Sequence, residues 1–146
     1  MSRLIHKLAR EIDIRPAKAL LLSLFAVNFI VAVFDFNLML KLIILTVLGC
    51  IFSFFINFPF KLLFRTKRPK LYKHQEMEYG FPSFHTQIAF TIATIYSFYI
   101  HLLLLPTFIS AIFVGVSRLI TGSHKFKDIM FGSIFGVLVG SAIILI

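Results

Sequence analysis

The sequence is poor in the residues that soluble domains use as surface charges and cross-links. Charged residues make up 14% of the chain, only six residues are acidic, and there is one cysteine. A single cysteine excludes an internal disulfide framework, and six carboxylates leave little material for a multi-carboxylate metal site. The low charge also argues against an ordinary soluble domain, in which about 25% of residues are charged.

Apolar residues take the place of the missing charge. Hydrophobic residues make up 59% of the chain, 19 residues are Phe, and the mean hydropathy is +0.94. This composition predicts an integral membrane protein. The net charge of +9 is also found in nucleic-acid-binding proteins, but here the basic residues lie between apolar runs. We therefore expect membrane lipids as partners and no nucleic acid.

The apolar runs have the lengths of membrane spans. Residues 17–34 and 38–60 approach the ~20 residues that cross a bilayer, and residues 129–146 form a last run. The uncharged run 88–119 would make a helix of about 48 Å, too long for a core of ~30 Å, so it must fold back between His101 and Pro106. The sequence thus predicts one all-α domain over 1–146, a polytopic membrane helical bundle of about five transmembrane helices.

Residues 1–16 are interpreted as an interfacial segment ahead of the bundle at 17–146. Apolar, basic and acidic residues alternate over 2–14, which predicts an N-terminal amphipathic helix on the membrane surface, with a solvated tail as the alternative. Pro16 is expected to start a new element. Basic residues before an apolar run also begin signal peptides, but this stretch is long and mixed in charge, so we expect it to be retained.

Small residues recur along the last run. Gly132, Gly136 and Gly140 are four residues apart, which places them on one helix face and lets another helix approach closely. We expect this face to serve packing within the bundle, with a homo-oligomer contact as the alternative.

A short polar stretch before the last run carries the strongest sign of chemistry. Asp128 follows His124 by four residues, a spacing that shares a helix face. The carboxylate can therefore hydrogen-bond one ring nitrogen and leave the other facing the polar break. This pair has the composition of a nucleophile or base with its orienting carboxylate.

Counting crossings places the amino terminus, the 61–82 loop and the 118–127 turn on one side of the membrane. Three polar patterns occur there, in this order: Lys61 with Arg68-Pro69, then Pro82-Ser83-Phe84-His85, then Ser117-Arg118 with His124 and Asp128. Together they resemble the motifs of the type 2 phosphatidic acid phosphatase superfamily of membrane lipid phosphatases, whose fold is shared with vanadium-dependent haloperoxidases. The resemblance covers residues 61–128.

The resemblance implies a lipid phosphatase. Because the chain has only six carboxylates, we expect it to need no metal, and we expect no other cofactor. The resemblance also implies that His124 attacks phosphorus to form a phosphohistidine and that Asp128 holds its tautomer. His85 would protonate the leaving alkoxide and then activate water. These roles make His124, His85 and Asp128 the expected catalytic residues.

A phosphate dianion at a membrane also needs fixed cations. Lys61, Arg68 and Arg118 supply a point charge and two bidentate donors. Ser83 and Phe84 can add backbone amides at a helix start, with the Ser83 hydroxyl as a further contact. We expect these five residues to bind the substrate phosphate.

The sequence departs from the family pattern in two respects. Phe84 stands where the family keeps glycine, and five spans are counted where members commonly have six. Family active sites usually face away from the cytosol, whereas every Lys and Arg except Lys41 falls on the motif side, which favours a cytosolic face. The side therefore stays open for this integral multi-pass protein of the cell membrane.

The motifs also leave the substrate open. Phosphatidic acid, phosphatidylglycerol phosphate, an isoprenyl diphosphate and a lipid A phosphate all fit a lipid phosphate site. The alternative from another class is a non-catalytic anion-binding component of a membrane transporter.

Overall fold

Five helices account for nearly all of the described chain. The computed structural model describes the backbone of residues 2–69 and 79–146, and side chains from residue 18 onward within those ranges. The helices are α1 (Ser2–Phe34), α2 (Phe36–Phe64), α3 (Phe84–Tyr99), α4 (Leu104–Ile120) and α5 (Phe126–Ile144). The predicted all-helical bundle of five helices is confirmed.

The turn at Asp35 is confirmed, whereas the break at Pro16 is not observed. Asp35 alone separates α1 from α2, and its carboxylate accepts a hydrogen bond from the Leu38 amide at 2.9 Å, which caps α2. By contrast, α1 continues through Pro16 as one helix of 33 residues. The first residues are helical as predicted, but they extend the first helix instead of forming a separate element. The side chains that would make this part amphipathic lie outside the described residues.

The long uncharged run folds back where its length requires. Helix α3 ends at Tyr99, a single 3₁₀ turn spans His101–Leu103, and α4 begins at Leu104. The reversal thus starts just before the predicted position and places Pro106 in the first turn of α4, where its missing amide costs little.

Three of the described helices are long and apolar enough to cross a membrane: Phe36–Phe64, His101–Ile120 with its 3₁₀ turn, and Phe126–Ile144. Lys18–Phe34 is a shorter apolar helix, and α3 has only 16 residues. At about 1.5 Å per residue, α3 is roughly 24 Å long.

Helix α3 is the inner helix of the bundle and carries several polar residues. It packs against α2, α4 and α5 and buries Thr86, Gln87 and Thr91 along with its apolar residues. The outer surface is apolar, with Phe29, Phe55 and Leu63 each at least 66% exposed. Such a surface suits lipid, whereas in water it would drive aggregation.

Helices α3 and α5 approach each other most closely at the glycine stripe of α5. A Cβ atom added at Gly132 would lie 2.7 Å from the Ser83 carbonyl oxygen, and one at Gly140 would lie 2.9 Å from the Thr91 carbonyl oxygen. At Gly136 an added Cβ would overlap the Gln87 carbonyl oxygen. The predicted packing role is confirmed. Helix α3 of the same chain fills this face. The homo-oligomer alternative required the face to be open to a second copy, and it is not.

We predict that Gly136→Ala destabilises the bundle. The added methyl meets backbone, which cannot rotate away, so α3 and α5 must separate at a cost of about 1–3 kcal/mol, the usual range for overpacking. The measurement is the thermal unfolding midpoint of the purified protein in detergent. Ser141→Thr adds a methyl group to an exposed position on the same helix and should leave the midpoint unchanged. Equal midpoints for both variants would contradict the close contact.

Candidate active site

Three outer helices each have a stripe of buried residues that ends in a charged residue. The three charged residues lie at the same end of the bundle. On α2 the stripe is Gly49, Ser53, Asn57 and Lys61, at intervals of four residues. On α5 the corresponding stripe starts at Asp128 and continues through the glycines. On α4 it ends at Arg118. Each stripe faces a neighbouring helix, so the three charged residues converge where the helices end.

A buried polar network fixes the stripe of α2 against α3. The Asn57 side-chain amide donates to the Gln87 side-chain oxygen at 2.7 Å, and the Gln87 side chain donates to the Ser53 carbonyl at 3.3 Å. The Ser53 and Thr91 hydroxyls are 3.1 Å apart. The sequence interpretation missed this network, although the spacing of Ser53, Asn57 and Lys61 was a signal for it.

Hydrogen bonds join the chain after α2 to the residues that lead into α3. Thr66 accepts two hydrogen bonds from backbone amides. Gly80 N donates to its carbonyl oxygen at 2.8 Å, and Phe81 N donates to its hydroxyl at 3.1 Å. Arg68 Nε donates to the Tyr79 carbonyl at 3.3 Å. These bonds hold Arg68 beside the start of α3.

Gly80 lies where the first and third motifs meet. A Cβ atom at this position would be 3.1 Å from Arg68 Cγ and 3.2 Å from Asp128 Oδ2. The absence of a side chain at Gly80 therefore lets the arginine and the carboxylate approach the same point. The sequence marked Gly80 only as a loop residue.

The turn between α4 and α5 is organised by the carbonyl of Arg118. This oxygen accepts the amides of Ser123 at 3.1 Å and His124 at 3.2 Å. Gly122 makes the reversal with φ of 65°, a left-handed conformation that favours glycine. The Thr121 and Ser123 hydroxyls are 2.8 Å apart inside the turn. His124 is thus fixed directly to the backbone of Arg118.

The relation between His124 and Asp128 differs from the sequence interpretation. His124 lies before α5, so the two residues do not share a helix. Asp128 Oδ2 accepts the Lys125 amide at 2.8 Å, which caps the helix, and lies 3.7 Å from His124 Nδ1. That distance is too long for a hydrogen bond but suits an electrostatic contact. Asp128 thus faces one ring nitrogen, Nδ1, without the predicted hydrogen bond, and Nε2 is the nitrogen on the far side of the ring.

His124 is 4% exposed, and its surroundings favour the neutral ring. Burial lowers the pKa of His124, and the positive charges of Arg68 and Lys61 act in the same direction, whereas Asp128 opposes them. The imidazole therefore keeps its lone pair at neutral pH, as a nucleophile requires.

His85 lies at the start of α3 and is exposed. Partial desolvation of the ring and the charges of Arg118, His124, Lys61 and Arg68 lower the pKa of His85 to about 4. The structure thus brings His85 together with the other two motifs, at the accessible side of the cluster.

Ser83 departs from its predicted role as a backbone donor. Its amide donates to the Asp128 carbonyl at 2.9 Å, so the expectation that this amide binds phosphate is wrong. Its hydroxyl is paired with that of Thr86 at 2.9 Å. The first helical bond of α3 is from Gln87 N to the Ser83 carbonyl at 3.0 Å, which leaves the Phe84 amide ahead of the helical hydrogen bonds.

The Phe84 ring lies against α2. Its centroid is 6.2 Å from that of Phe54, edge to face, and 6.4 Å from the His85 ring. The ring therefore adds an aromatic wall between α2 and α3 beside His85.

A family model, the PAP2 superfamily, matches residues 16–146. The chain belongs to the PAP2 superfamily. One similar solved structure is a transmembrane PAP2-type phosphatidylglycerolphosphate phosphatase from Bacillus subtilis, with a TM-score of 0.70 and 21% identity, covering 94% of this chain and 73% of that chain. That likeness shows the PAP2 fold. No curated protein sequence matches this chain significantly.

We predict that Gly80→Ala weakens oxyanion binding. The methyl group would push Arg68 and Asp128 apart by a few tenths of an ångström, and small displacements in preorganised sites are costly. Titration with orthovanadate, a tetrahedral phosphate analogue, should show an affinity about tenfold lower.

The matched control is Gly115→Ala. Its added Cβ would lie 3.0 Å from Ile129 Cγ2, so the crowding is similar but the nearest neighbour is apolar. This variant should lower the stability of the fold more than it lowers the affinity for vanadate. Unchanged vanadate affinity in a folded Gly80→Ala protein would contradict the role of Gly80.

Proposed function

We propose that this PAP2 superfamily member is a membrane lipid phosphatase that hydrolyses a terminal phosphate from a lipid phosphomonoester or diphosphate. The observation that carries the proposal is the convergence of Lys61, Arg118, His124 and Asp128, all at most 6% exposed, at one end of an apolar helical bundle. Buried cations beside a neutral histidine suit an anionic substrate that undergoes nucleophilic attack. Family membership supports the same chemistry.

In the proposed complex, three cations bind the phosphate. Arg68 and Arg118 grip its oxygens and Lys61 adds a point charge. The Phe84 amide and the Ser83 hydroxyl are further donors at the amino-terminal end of α3. The three cations repel one another, and a bound dianion would attract all three.

In the proposed reaction, His124 Nε2 attacks phosphorus, an N–P bond forms, and the bond from phosphorus to the lipid oxygen breaks. Asp128, which faces Nδ1, stabilises the positive charge that develops on the ring. Hydrolysis then breaks the N–P bond and releases inorganic phosphate. The intermediate is a phosphohistidine.

His85 is the proposed proton carrier. It donates a proton to the departing lipid alkoxide and takes one from the water that attacks the phosphohistidine, so it ends each cycle in its starting form. Its exposed position at the cluster gives it access to the leaving group and to water. A bound dianion favours its protonated form among the surrounding cations.

The substrate candidates remain phosphatidic acid, phosphatidylglycerol phosphate, an isoprenyl diphosphate and a lipid A phosphate. The protein is proposed to reside in the cell membrane with several spans. Its side can be assigned by labelling cysteines introduced at Lys125 and at Asp35, at opposite ends of the bundle, with an impermeant reagent. Exclusive labelling from outside at Lys125 would place the site outside the cytosol.

We predict that the purified protein releases phosphate from short-chain phosphatidic acid and that His124→Ala reduces this rate at least about a thousandfold, because no nucleophile remains. Phosphate release is the readout, with thermal unfolding as the fold control. Lys125→Ala changes an exposed neighbour and should retain activity. An active His124→Ala protein would contradict the mechanism. Phosphate binding without hydrolysis of any of these lipids would instead support an anion-binding transporter component.

We further propose that hydrolysis needs no metal ion. In the described part of the chain no three His, Cys, Asp or Glu side chains lie close enough to hold one, and the phosphate charge is met by Lys and Arg instead. We predict that excess EDTA leaves the rate of phosphate release unchanged. Loss of activity with EDTA and recovery with Mg²⁺ would show that the cations are not sufficient.

A further inference from the structure

A groove of about 300 Å³ runs along the outer face of the bundle between α2 and α5. Phe52 and Ile56 form one wall, and Phe135, Leu138, Ala142 and Ile146 form the other. These side chains are all hydrocarbon or aromatic. The groove therefore favours a hydrocarbon occupant, because a polar group would lose its hydrogen bonds to water there.

The groove lies next to the candidate active site, on the side toward the opposite end of the bundle. Ile56 precedes Lys61 by five residues on α2, and Phe135 follows Asp128 by seven residues on α5. At ~1.5 Å per residue, the groove begins about 8–10 Å from the charged cluster. The interfacial layer between lipid phosphates and the hydrocarbon core is roughly 5–8 Å thick. The groove thus begins at the depth where the chains of a bound lipid phosphate begin.

A continuous aromatic surface connects the groove to the cluster. The Phe135 ring lies 4.9 Å from the Phe60 ring, next to Lys61, and 6.2 Å from the Phe131 ring. The Phe131 ring lies 5.1 Å from that of Phe81, next to Gly80. A lipid with its phosphate in the cluster can therefore stay in contact with apolar surface down to the groove.

We propose that the groove between α2 and α5 binds one hydrocarbon chain of the substrate and that Ala142 lets a long chain reach its deep end. This proposal rests on the proposed lipid phosphatase function. From Phe135 to Ile146 the groove is about 16 Å long, and Ala142 has the smallest side chain among the residues that form it. A larger residue there blocks the path of a long chain, whereas a short chain ends before it.

The test compares dioctanoyl and dipalmitoyl phosphatidic acid as substrates of Ala142→Leu. We expect kcat/KM for the dipalmitoyl lipid to fall about tenfold relative to that for the dioctanoyl lipid, since hydrocarbon contacts in pockets discriminate by factors of this size. Short-chain activity at the wild-type level shows that the variant is folded. If Ala142→Leu lowers both rates, the smaller change Ala142→Val gives the same comparison.

The matched control is Ala26→Leu. Ala26 is exposed on α1 and is not part of the groove, so its replacement should leave the chain-length profile unchanged. If Ala142→Leu and Ala26→Leu have the same profile, the groove contacts only bulk lipid and the proposal is overturned. If the wild-type protein hydrolyses neither these two lipids nor any other of the candidate lipid phosphates, the proposed function fails and the groove assignment fails with it.

Discussion

The architecture depends on a backbone-to-backbone contact between α3 and α5. At the three glycines of the α5 stripe, the carbonyls of Ser83, which precedes α3, and of Gln87 and Thr91 within α3 occupy the space of a side chain. The Thr91 hydroxyl also donates to the Gly136 carbonyl at 3.1 Å. A contact between two backbones fixes the register of the helices more strictly than flexible side chains would. The same contact continues past the helices, where Ser83 N donates to the Asp128 carbonyl. This main-chain hydrogen bond joins the second and third motifs.

Helix α2 is held in register by a different interaction. Its buried stripe is polar, and Asn57 donates to Gln87 and, at 3.4 Å, to the Pro82 carbonyl. Within an apolar bundle these bonds are not exposed to competition from water. Asn57 lies one turn below Lys61, so the bonds that hold it also fix the lysine relative to the loop that carries Ser83. The cluster is therefore positioned by glycine packing on one side and by amide hydrogen bonds on the other.

The sequence predicted the helices and the motif residues better than it predicted their contacts. A long apolar run has few structural interpretations. The polar turn at Asp35 and the excess length of the run beyond Ile88 both indicated that the chain reverses, and the structure has reversals in both regions. The periodicity of an apolar helix, however, does not show which face is buried, because lipid-facing and core residues are both apolar. The role of Asn57 therefore required knowledge that α3 is central. The capping of α5 by Asp128 and the engaged Ser83 amide depend on turn geometry, which residue spacing does not determine. Gly80 was missed for the same reason.

The charge of the cluster bears on the substrate. Among the described residues, Lys61, Arg68 and Arg118 contribute three positive charges and Asp128 one negative charge, while burial and the cations favour a neutral His124. Lys125 and Lys127 are exposed, and salt screens their contribution. The described residues of the buried cluster are therefore predominantly cationic, whereas the outer surface of the surrounding helices is apolar. A cationic cluster in an apolar surface attracts an anionic group that is carried by an apolar molecule.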